Sequence, residues 1–390
     1  MGFQIPEFIS PDFSEEKYQN APNIKLGTVE RDGVAPDDFY LTTHIPTFYK
    51  YDGKWLFPDH NSLNCVAVFE DGKIFVREIR SLKEGEQVVL SLTGELDTGV
   101  LVYRDGFPKS IYSTPGKAVE TSFSRDYEKL FELMQHERDS EDGYITWVLG
   151  PSVVFDYDTR KALNQLAENG YINCLLGGNA MCTHDLEGGF LQTALGQNIY
   201  TQENVPMGHY NHLDLLNEVR TTGSIKKFIA GGNVKDGIIK TLSDMDIPFV
   251  LSGSIRDDGP LPEVIGDTEA ALTETKKALD KSTLIICIAT MLHSLSVANM
   301  ASGYTIRKNG KITPVFMYSI DVTENVVNKV GAARELMAFV PMVTNVQDFV
   351  VNCEKALITP ANKVFADEMK IPETEYVEVG QDKSESKEEI

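Results

Sequence analysis

The sequence contains no run of about 18 apolar residues, the length that a transmembrane helix needs. Its first residues, Met-Gly-Phe-Gln-Ile-Pro, do not join a basic segment to an apolar one, so they lack the pattern of a signal peptide. On these two patterns we expect neither a membrane-spanning helix nor secretion. We therefore expect a cytoplasmic protein with no membrane partner.

Positive charge is also scarce. The chain has 36 Lys and Arg against 58 Asp and Glu, which gives a formal net charge of -22. Because nucleic-acid backbones are bound by clustered Lys and Arg, this balance argues against nucleic acid as a main partner. The hydrophobic content of 42% and the charged content of 24% are typical of a soluble globular protein. A chain of 390 residues is long enough for two domains, or for one domain with a large appendage.

The five cysteines have no CxxC spacing, and their odd number does not suggest a disulfide framework. A reducing compartment fits this usage best. Cys174 and Cys287 lie in apolar runs, where we expect them to be core residues. Cys182 is predicted to lie in a polar loop near His184 and Asp185, where a thiolate nucleophile is a minor alternative.

Residues 1–120 have the pattern of a β-rich subdomain. Residues 63–69 and 74–79 are two apolar segments joined by Glu-Asp-Gly-Lys, which predicts a hairpin with a glycine-containing turn. Residues 87–92 and 99–103 are expected to extend this hairpin. Because Pro and Gly interrupt the region often, we predict a small barrel or a sandwich-like arrangement.

From about residue 121 the pattern changes, and strands alternate with helices. This alternation predicts βαβ units and an α/β domain, residues 121–360, with a doubly wound, mostly parallel sheet. The predicted helices and strands are a helix from Ser124 to residue 135, helices at 159–169 and 346–357, and strands at 144–149, 172–176, 247–251, 283–289 and 314–320. Residues 373–390 form an acidic tail with few apolar residues, which we expect to be disordered.

The most informative segment, residues 252–262, reads Ser-Gly-Ser-Ile-Arg-Asp-Asp-Gly-Pro-Leu-Pro and follows the predicted strand at 247–251. Open α/β sheets bind ligands at the carboxyl ends of their strands. Two adjacent carboxylates beside an Arg can hold a ribose hydroxyl, an ammonium group or a proton in transit. The alternative is a surface turn, because Asp-Asp-Gly-Pro is also a favourable turn sequence.

Other strands are also followed by polar residues. The segment 177–185 follows the strand at 172–176, Thr290 and His293 follow 284–288, and Asp321 follows 314–317. An acidic residue at a strand end can bind both hydroxyls of a ribose, which suits Asp321. Because the GxGxxG fingerprint is absent, any nucleotide here is not held in the standard Rossmann manner.

Two histidines stand close together in Gly208-His-Tyr-Asn-His212. A His-x-x-His pair can bind zinc, but neither a Cys pair nor an HExxH motif accompanies it, and we predict no metal site. Substrate or proton handling is one alternative. The other is a structural role for His212 at the start of a helix over residues 213–220.

Taken together, these motifs resemble the archaeal-type ornithine cyclodeaminases. That family includes the carboxy-terminal half of cyanobacterial bifunctional arginine dihydrolases, and it carries a conserved region shared with plant lysine-ketoglutarate reductase/saccharopine dehydrogenase. The similarity runs from about residue 32 to about residue 357. The motifs that carry it lie at residues 150–154, 177–180, 184–185, 208–212, 252–262, 290–294 and 320–321.

The resemblance implies that NAD is bound at a sheet like that of deoxyhypusine synthase. It also implies conversion of L-ornithine into L-proline and ammonia, through internal hydride transfer and a cyclic imine. Carried over by motif, the NAD-contacting positions are Asn179, Ala180, Asp258, Thr290, Met291, Leu292, His293, Asp321, Asn345 and Val346.

The chain departs from the family pattern at three places. Only 31 residues precede the Asp-Gly-Val-Ala-Pro block at residues 32–36, where the family usually has a longer α/β segment. Val-Thr-Glu follows Asp321 where the family tends to have Asn-Pro, and Asn345 stands where it tends to have Asp. The first departure concerns the expected substrate lid, so it affects the substrate prediction more than the cofactor prediction.

The implied chemistry needs a carboxylate clamp, a base for the amine and a dry pocket. Arg256 is the candidate for the substrate carboxylate, with bracing of the loop as its alternative. Asp257 is a candidate for an ammonium group or a proton, and His209 and His212 are candidates for proton transfer. An NAD-dependent enzyme for a different amino acid or imine remains an alternative, as does a non-catalytic NAD-binding protein. A homo-oligomer is the default expectation for the assembly.

Overall fold

The structure is a computed structural model that describes residues 4–113 and 125–358. The predicted domain boundary near residue 120, the helix start at Ser124 and the acidic tail at 373–390 lie outside these ranges. The division of the chain at residue 120 therefore stays a prediction.

The amino-terminal part is built from two antiparallel sheets and one short helix. The four-stranded sheet has the order β1-β6-β4-β5, and the three-stranded sheet has the order β3-β2-β7. The elements are α1 (Glu16–Gln19), β1 (Lys25–Thr28), β2 (Thr47–Tyr51), β3 (Lys54–Leu56), β4 (Val66–Glu70), β5 (Lys73–Arg77), β6 (Gln87–Leu90) and β7 (Val100–Val102). The prediction of a β-rich amino-terminal region is confirmed.

One part of that prediction is wrong. Strands β4 and β5 form the predicted hairpin and β6 extends it, but β7 pairs with β2 in the other sheet. The reason is the turn between β6 and β7. A 3-10 segment at Leu96–Thr98 ends at Gly99, whose φ of 78° is left-handed and which packs so closely on residues 22–24 that a Cβ would stand 2.6 Å from the nitrogen of Ile24. The chain is thereby redirected away from the first sheet.

The second part of the chain alternates strands with helices. Its elements are α2 (Arg125–Asp139), β8 (Ile145–Leu149), α3 (Tyr157–Glu168), β9 (Cys174–Gly178), α4 (Asn179–Leu191), β10 (Thr193–Ala194), β11 (Gln197–Asn198), α5 (Asn211–Thr222), α6 (Ile225–Ala230), α7 (Ile238–Asp244), β12 (Phe249–Ser252), α8 (Thr268–Leu279), β13 (Leu284–Ile288), α9 (Met291–Met300), β14 (Tyr304–Ile306), β15 (Ile312–Pro314), β16 (Phe316–Asp321), α10 (Glu324–Ala333), β17 (Phe339–Val343) and α11 (Val346–Leu357).

Six of these strands form one parallel sheet in the order β12-β9-β8-β13-β16-β17. Counted along the chain, this is the order 3-2-1-4-5-6 of doubly wound dinucleotide-binding folds. The predicted fold class is therefore confirmed. The direction of winding reverses between β8 and β13, where Leu149 pairs with Ile288. Ligands of such sheets bind in the crevice at this switch point.

The sheet is covered on both faces, which explains why its central strands β8 and β13 are apolar except for Thr146. Every residue of β8 and β13 is buried. Trp147 and its neighbours on one face pack against α2, α3 and α11. Val148 and Cys287 on the other face pack in a second core with residues of α8, α9 and α10. The core of the α/β part thus has one layer of side chains on each face of the sheet.

The β-rich part packs directly against the α/β part. The backbone N–H of His44 donates to Glu335, and the hydroxyl of Ser62 donates to the carbonyl of Met300. A shared apolar cluster includes Ile45 from the first part and Tyr304 from the second. No helix in the described ranges has both the length and the apolar character that a membrane crossing requires.

Candidate active site

The carboxyl ends of the six parallel strands bring the predicted site residues to one edge of the sheet. The residues at or directly after these ends are Gly150 (β8), Asn179 (β9), Ser252 (β12), Thr290 (β13), Asp321 (β16) and Asn345 (β17). The sequence predicts a mostly parallel sheet, and the structure shows that all six strands end at this edge.

At the switch point the backbone of β8 lies against that of β13. The N–H of Gly150 donates to the carbonyl of Ile288 at 2.8 Å, and a Cβ on Gly150 would overlap the carbonyl oxygen of Ala289. Ala289 itself has a φ of 55°, a conformation that non-glycine residues adopt rarely and that clusters at functional sites. Thr290 caps the start of α9 without a side-chain hydrogen bond to the helix. Its hydroxyl and the first N–H groups of α9 are therefore available at the crevice.

His293 lies over the end of β9. A Cβ on Gly178 would stand 2.8 Å from Cε1 of His293, so the glycine makes room for the ring. Burial lowers the pKa of His293, and the nearby carboxylate of Asp257 opposes that shift. Leu292 and His293 line a cavity of about 180 Å³ between α8, α9 and the ends of β9 and β12. Met291 and Leu292, at the start of α9, are 41% and 68% exposed and present an apolar surface.

Residues 254–257 of the loop after β12 form a compact turn. The carboxylate of Asp257 accepts from the N–H of Ser254 at 2.8 Å, and the N–H of Asp257 donates back to the carbonyl of Ser254 at 3.1 Å. The N–H of Arg256 donates to the hydroxyl of Ser254, while the Arg256 side chain is exposed. The turn interpretation therefore describes the backbone. The guanidinium of Arg256 and the second carboxylate oxygen of Asp257 remain available to a ligand.

Two side chains fasten the far end of this loop. Asn179 accepts from the N–H of Leu261 at 2.9 Å and lies 3.4 Å from the carbonyl of Gly259. Arg220 donates to the carbonyl of Pro260 at 3.3 Å and packs over Gly259, whose φ of 111° suits glycine. The Asn179 side chain is thus used by the loop, and its backbone N–H at the start of α4 is the part available to a ligand. A contact of Asn179 or Ala180 with NAD stays a prediction.

The two predicted histidines have different surroundings. His212 is the second residue of α5, and its Nε2 lies 3.4 Å from a carboxylate oxygen of Asp258, which is 66% exposed. His209 is exposed, and its ring contacts that of Tyr210. The structure brings His212 and Asp258 together and does not join His209 to them.

His184 lies in one of the motifs found in the sequence, but its partner Glu187 was missed. Glu187 is fully buried and accepts from His184 Nδ1 at 2.8 Å and from the Thr193 hydroxyl at 2.7 Å. The ring of His184 lies 6.1 Å from the ring of His212, centroid to centroid. Residues 184 and 187 are three apart, a spacing that places two side chains on one face of a helix. That signal could have been used only if the segment had been predicted to be helical.

The prediction of a polar loop around Cys182 is wrong. Residues 179–191 form α4, a helix buried on nearly all sides, because His184, Asp185 and Glu187 find hydrogen-bond partners inside the protein. Cys182 is fully buried, and burial raises the pKa of its thiol well above the ordinary value. A buried, protonated thiol is a poor nucleophile, so the structure contradicts the thiolate alternative.

Asp185 has a structural role. Its carboxylate accepts from Arg160 Nη1 at 2.6 Å and from the N–H groups of Ile238 and Ile239 at the start of α7. Arg160 also reaches Asp236, at 2.6 Å. Burial raises the pKa of Asp185 despite the guanidinium beside it. The hydrogen bonds of Arg160 and Asp185 thus join α3, α4 and the start of α7.

The ends of β16 and β17 carry the remaining predicted residues. One carboxylate oxygen of Asp321 accepts from the N–H of Thr323 at 2.9 Å, and the side chain is half-buried. Asn345 caps α11 by accepting from the N–H of Asp348 at 3.0 Å. Val346 is buried in the core, so only its backbone faces the edge of the sheet. Their roles as NAD contacts stay predictions. Within residues 4–113 and 125–358, no group of three or more His, Cys, Asp or Glu could hold a metal ion.

The model of one protein family, described as "Arginine dihydrolase ArgZ-like, C-terminal, Rossmann fold", matches residues 128–352, which is more than half of the chain. The chain belongs to this family. The resemblance inferred from the motifs is thereby confirmed, because the family is the carboxy-terminal half of the bifunctional arginine dihydrolases.

The similar curated proteins support the same assignment. An ornithine cyclodeaminase of Archaeoglobus fulgidus is 38% identical over 287 residues, which cover 72% of this chain and 68% of that protein. An ornithine cyclodeaminase of Methanopyrus kandleri is 33% identical over 353 residues, 86% of this chain and 82% of that protein. The bifunctional arginine dihydrolase/ornithine cyclodeaminase AgrE of Nostoc is 33% identical over 85% of this chain, but the match spans only 46% of that longer protein.

Two solved structures are similar in fold. The conserved LOR/SDH protein from Methanococcus maripaludis S2 has a TM-score of 0.75 and 28% identity, covering 86% of this chain and 98% of that one. The ternary complex of AgrE with ornithine and NAD+ has a TM-score of 0.54 and 30% identity, covering 88% of this chain and 47% of that one.

Proposed function

We propose that this protein is an NAD-dependent ornithine cyclodeaminase, which converts L-ornithine into L-proline and ammonia. The observation that carries the proposal is the convergence at one sheet edge of a switch-point crevice and a set of polar residues. Gly150 and Thr290 bound the crevice, the carboxylate of Asp257 lies near His293 of α9, and His212 pairs with Asp258 on the loop after β12. The relatives named ornithine cyclodeaminase give the substrate class.

The residues at the crevice fit NAD. Asp321 has a carboxylate oxygen for a ribose hydroxyl, and the start of α9 offers N–H groups to phosphate oxygens. Met291 and Leu292 offer an apolar wall, and Gly150 permits close approach of the backbone. When bound, NAD supplies the hydride acceptor and donor of an internally balanced redox cycle. The AgrE complex with ornithine and NAD+ supports this cofactor.

The loop after β12 supplies the substrate side. Arg256 is exposed and is our candidate for the substrate carboxylate, because a guanidinium binds a carboxylate through two parallel hydrogen bonds. Asp257, held by Ser254, is the candidate for an ammonium group. His212, paired with Asp258, is the candidate for proton transfer. His209 is a weaker candidate, because it lies apart from this group.

We also propose that the protein is cytoplasmic and forms a homo-oligomer. All five cysteines are buried and free, which supports a reducing compartment such as the cytoplasm. Leu195, Tyr200, Met207 and Tyr210 are exposed apolar side chains within one short segment, which supports self-association into a homo-oligomer.

The test is direct. Purified protein is incubated with L-ornithine and a catalytic amount of NAD+, and ammonia and proline are measured. Equal amounts of the two products, with no accumulation of NADH, are expected. If NAD binds but ornithine is unchanged, the substrate proposal fails, and a screen of other amino acids for NADH formation identifies the alternative enzyme. Binding of NAD without turnover of any amine would indicate a non-catalytic protein.

A further inference from the structure

A buried cluster of polar side chains lies next to His212 and is not among the proposed cofactor or substrate contacts. It consists of Glu187, His184, Thr193 and Asn211, which we call the Glu187 cluster. Glu187 accepts from His184 and Thr193, and Asn211 donates to the Thr193 hydroxyl at 2.8 Å. Glu187 has no exposed surface. A buried carboxylate is costly unless several donors compensate it, so the cluster holds Glu187 as a fixed acceptor.

The carboxylate fixes the ring of His184. An ionised carboxylate can only accept hydrogen bonds, so the neutral ring carries its proton on Nδ1, which faces Glu187 at 2.8 Å. The lone pair is then on Nε2. In the described part of the chain Nε2 has no hydrogen-bond partner, although 91% of the side chain is buried, since its exposed fraction is 9%. The ring of Phe155 packs edge-on against His184 at 5.6 Å and holds its plane.

The His184 ring lies near two residues of the proposed substrate site, His212 and Asp258. His184 is in the second turn of α4, the helix that begins at the carboxyl end of β9. Its ring is 6.1 Å from that of His212, which in turn faces Asp258 on the loop after β12. Two histidine–carboxylate pairs, one buried and one exposed, therefore face each other at the edge of the sheet.

We propose that His184 is the base that accepts the proton of the substrate's α-ammonium group, and that Glu187 is its positioning residue. This inference rests on the proposed function. Hydride can leave the α-carbon only when the amine is neutral, because its lone pair forms the new C=N bond. The N–H bond breaks, its electron pair stays on nitrogen, and the proton goes to Nε2 of His184. The Glu187 carboxylate offsets the charge of the imidazolium.

The proton balance of the whole reaction agrees with a base that is reset in each turnover. The ornithine cation becomes a neutral proline zwitterion and an ammonium ion, so charge and protons are conserved. The proton held by His184 is returned when ammonia leaves as ammonium. His184 thus needs no outside proton acceptor, which suits a nearly buried residue.

The test compares His184→Gln with His136→Gln. His136 is a partly exposed histidine of α2, near the opposite edge of the sheet. For His184→Gln we expect kcat to fall by more than about 100-fold and the acid limb of its pH profile to disappear. The KM for ornithine and the affinity for NAD should change by less than about threefold. Glu187→Gln should lower kcat in the same direction, and His136→Gln should match the wild type.

Three results would overturn the inference. The first is a His184→Gln variant that keeps its kcat while the wild type converts ornithine. The second is a parallel loss of melting temperature, NAD affinity and activity, which indicates a structural role. The third is a wild-type His184 ring protonated on Nε2, observed by NMR of ¹⁵N-histidine protein near pH 8.

The NMR measurement needs neither turnover nor a folded variant. Addition of ornithine without NAD should shift the His184 resonances, and their indifference to ornithine would also overturn the inference. Failure of the proposed function is seen separately, as a wild-type protein that forms no proline.

Discussion

Asn179 is hydrogen-bonded to Leu261. The side-chain oxygen of Asn179, the first residue of α4, accepts a hydrogen bond from the backbone N–H of Leu261 at 2.9 Å. The two residues are 82 positions apart in sequence. This bond joins the end of β9 to the far end of the loop after β12, so the proposed cofactor contacts and the proposed substrate contacts share one support.

Asn179→Ala should therefore loosen the loop and weaken ligand binding. Leu261 is buried, and its N–H would lose its acceptor, which costs about 1–3 kcal/mol of stability. We expect faster hydrogen exchange at the Leu261 amide, with weaker binding of NAD and ornithine. Asn169→Ala, at an exposed helix end, is the control. Unchanged protection of the Leu261 amide would contradict the argument.

Gly178→Ala should displace His293. The added methyl group would stand 2.8 Å from Cε1 of His293, closer than real contacts allow, so the ring must move away from the end of β9. Overpacking of this kind costs about 1–3 kcal/mol. Weaker NAD binding is expected, measured by calorimetry, together with a lower midpoint of urea unfolding. Gly231→Ala is the matched control, because its nearest atom would be 3.3 Å away and its φ of -67° suits alanine. Equal effects of the two substitutions would show that His293 is not the cause.

The parallel strands could be predicted because the fold buries them on both faces. Strand β13 is an uninterrupted apolar run, and β8 is interrupted only by Thr146, whose hydroxyl is hydrogen-bonded to that of Ser282. A glycine or a polar residue follows each strand within two positions. Their order in the sheet could not be predicted, because it depends on how the crossovers pack and not on the strands themselves. The meeting of Gly150 with Ala289 at the switch point follows from that order.

Helix α4 shows why part of the site was missed. Thr183, His184 and Asp185 are typical of a loop, and their neighbours give no clear apolar stripe. The helix forms because buried partners satisfy two of these side chains, Glu187 for His184 and Arg160 for Asp185, which is tertiary structure overriding local preference. The pairing of His184 with Glu187 became visible only with the helix.

Asp321→Asn and Asp321→Ala should separate two roles of one side chain. The asparagine can still accept from the N–H of Thr323, so the turn after β16 is kept while the charge is lost. If Asp321 binds a ribose of NAD, both substitutions should weaken NAD binding by about 10-fold or more. Asp139→Ala, at the exposed carboxyl end of α2, is the control. Unchanged NAD affinity in Asp321→Asn would remove the carboxylate from the ribose role.

His44 should make the stability of the protein dependent on pH. His44 is fully buried where the β-rich part meets the α/β part, with Nδ1 at 3.1 Å from Glu335 and Nε2 at 2.8 Å from the carbonyl of Ala298. Burial and the charge of Arg334 lower the pKa of His44 to about 4, although Glu335 and the carbonyl oppose that shift. The folded protein therefore keeps this ring neutral at pH values where the unfolded chain, with an ordinary pKa of 6.5, already binds a proton.

A group whose pKa is lowered by folding contributes stability above its unfolded pKa and loses it as the pH falls through its folded pKa. The free energy of unfolding should thus decrease between about pH 6.5 and about pH 4, by up to about 3 kcal/mol from His44. Urea unfolding across this range measures the effect. His44→Gln cannot titrate, so its stability should fall less steeply than that of the wild type, whereas His136→Gln should retain the wild-type slope. A His44→Gln variant with the wild-type slope would show that the acid sensitivity originates elsewhere.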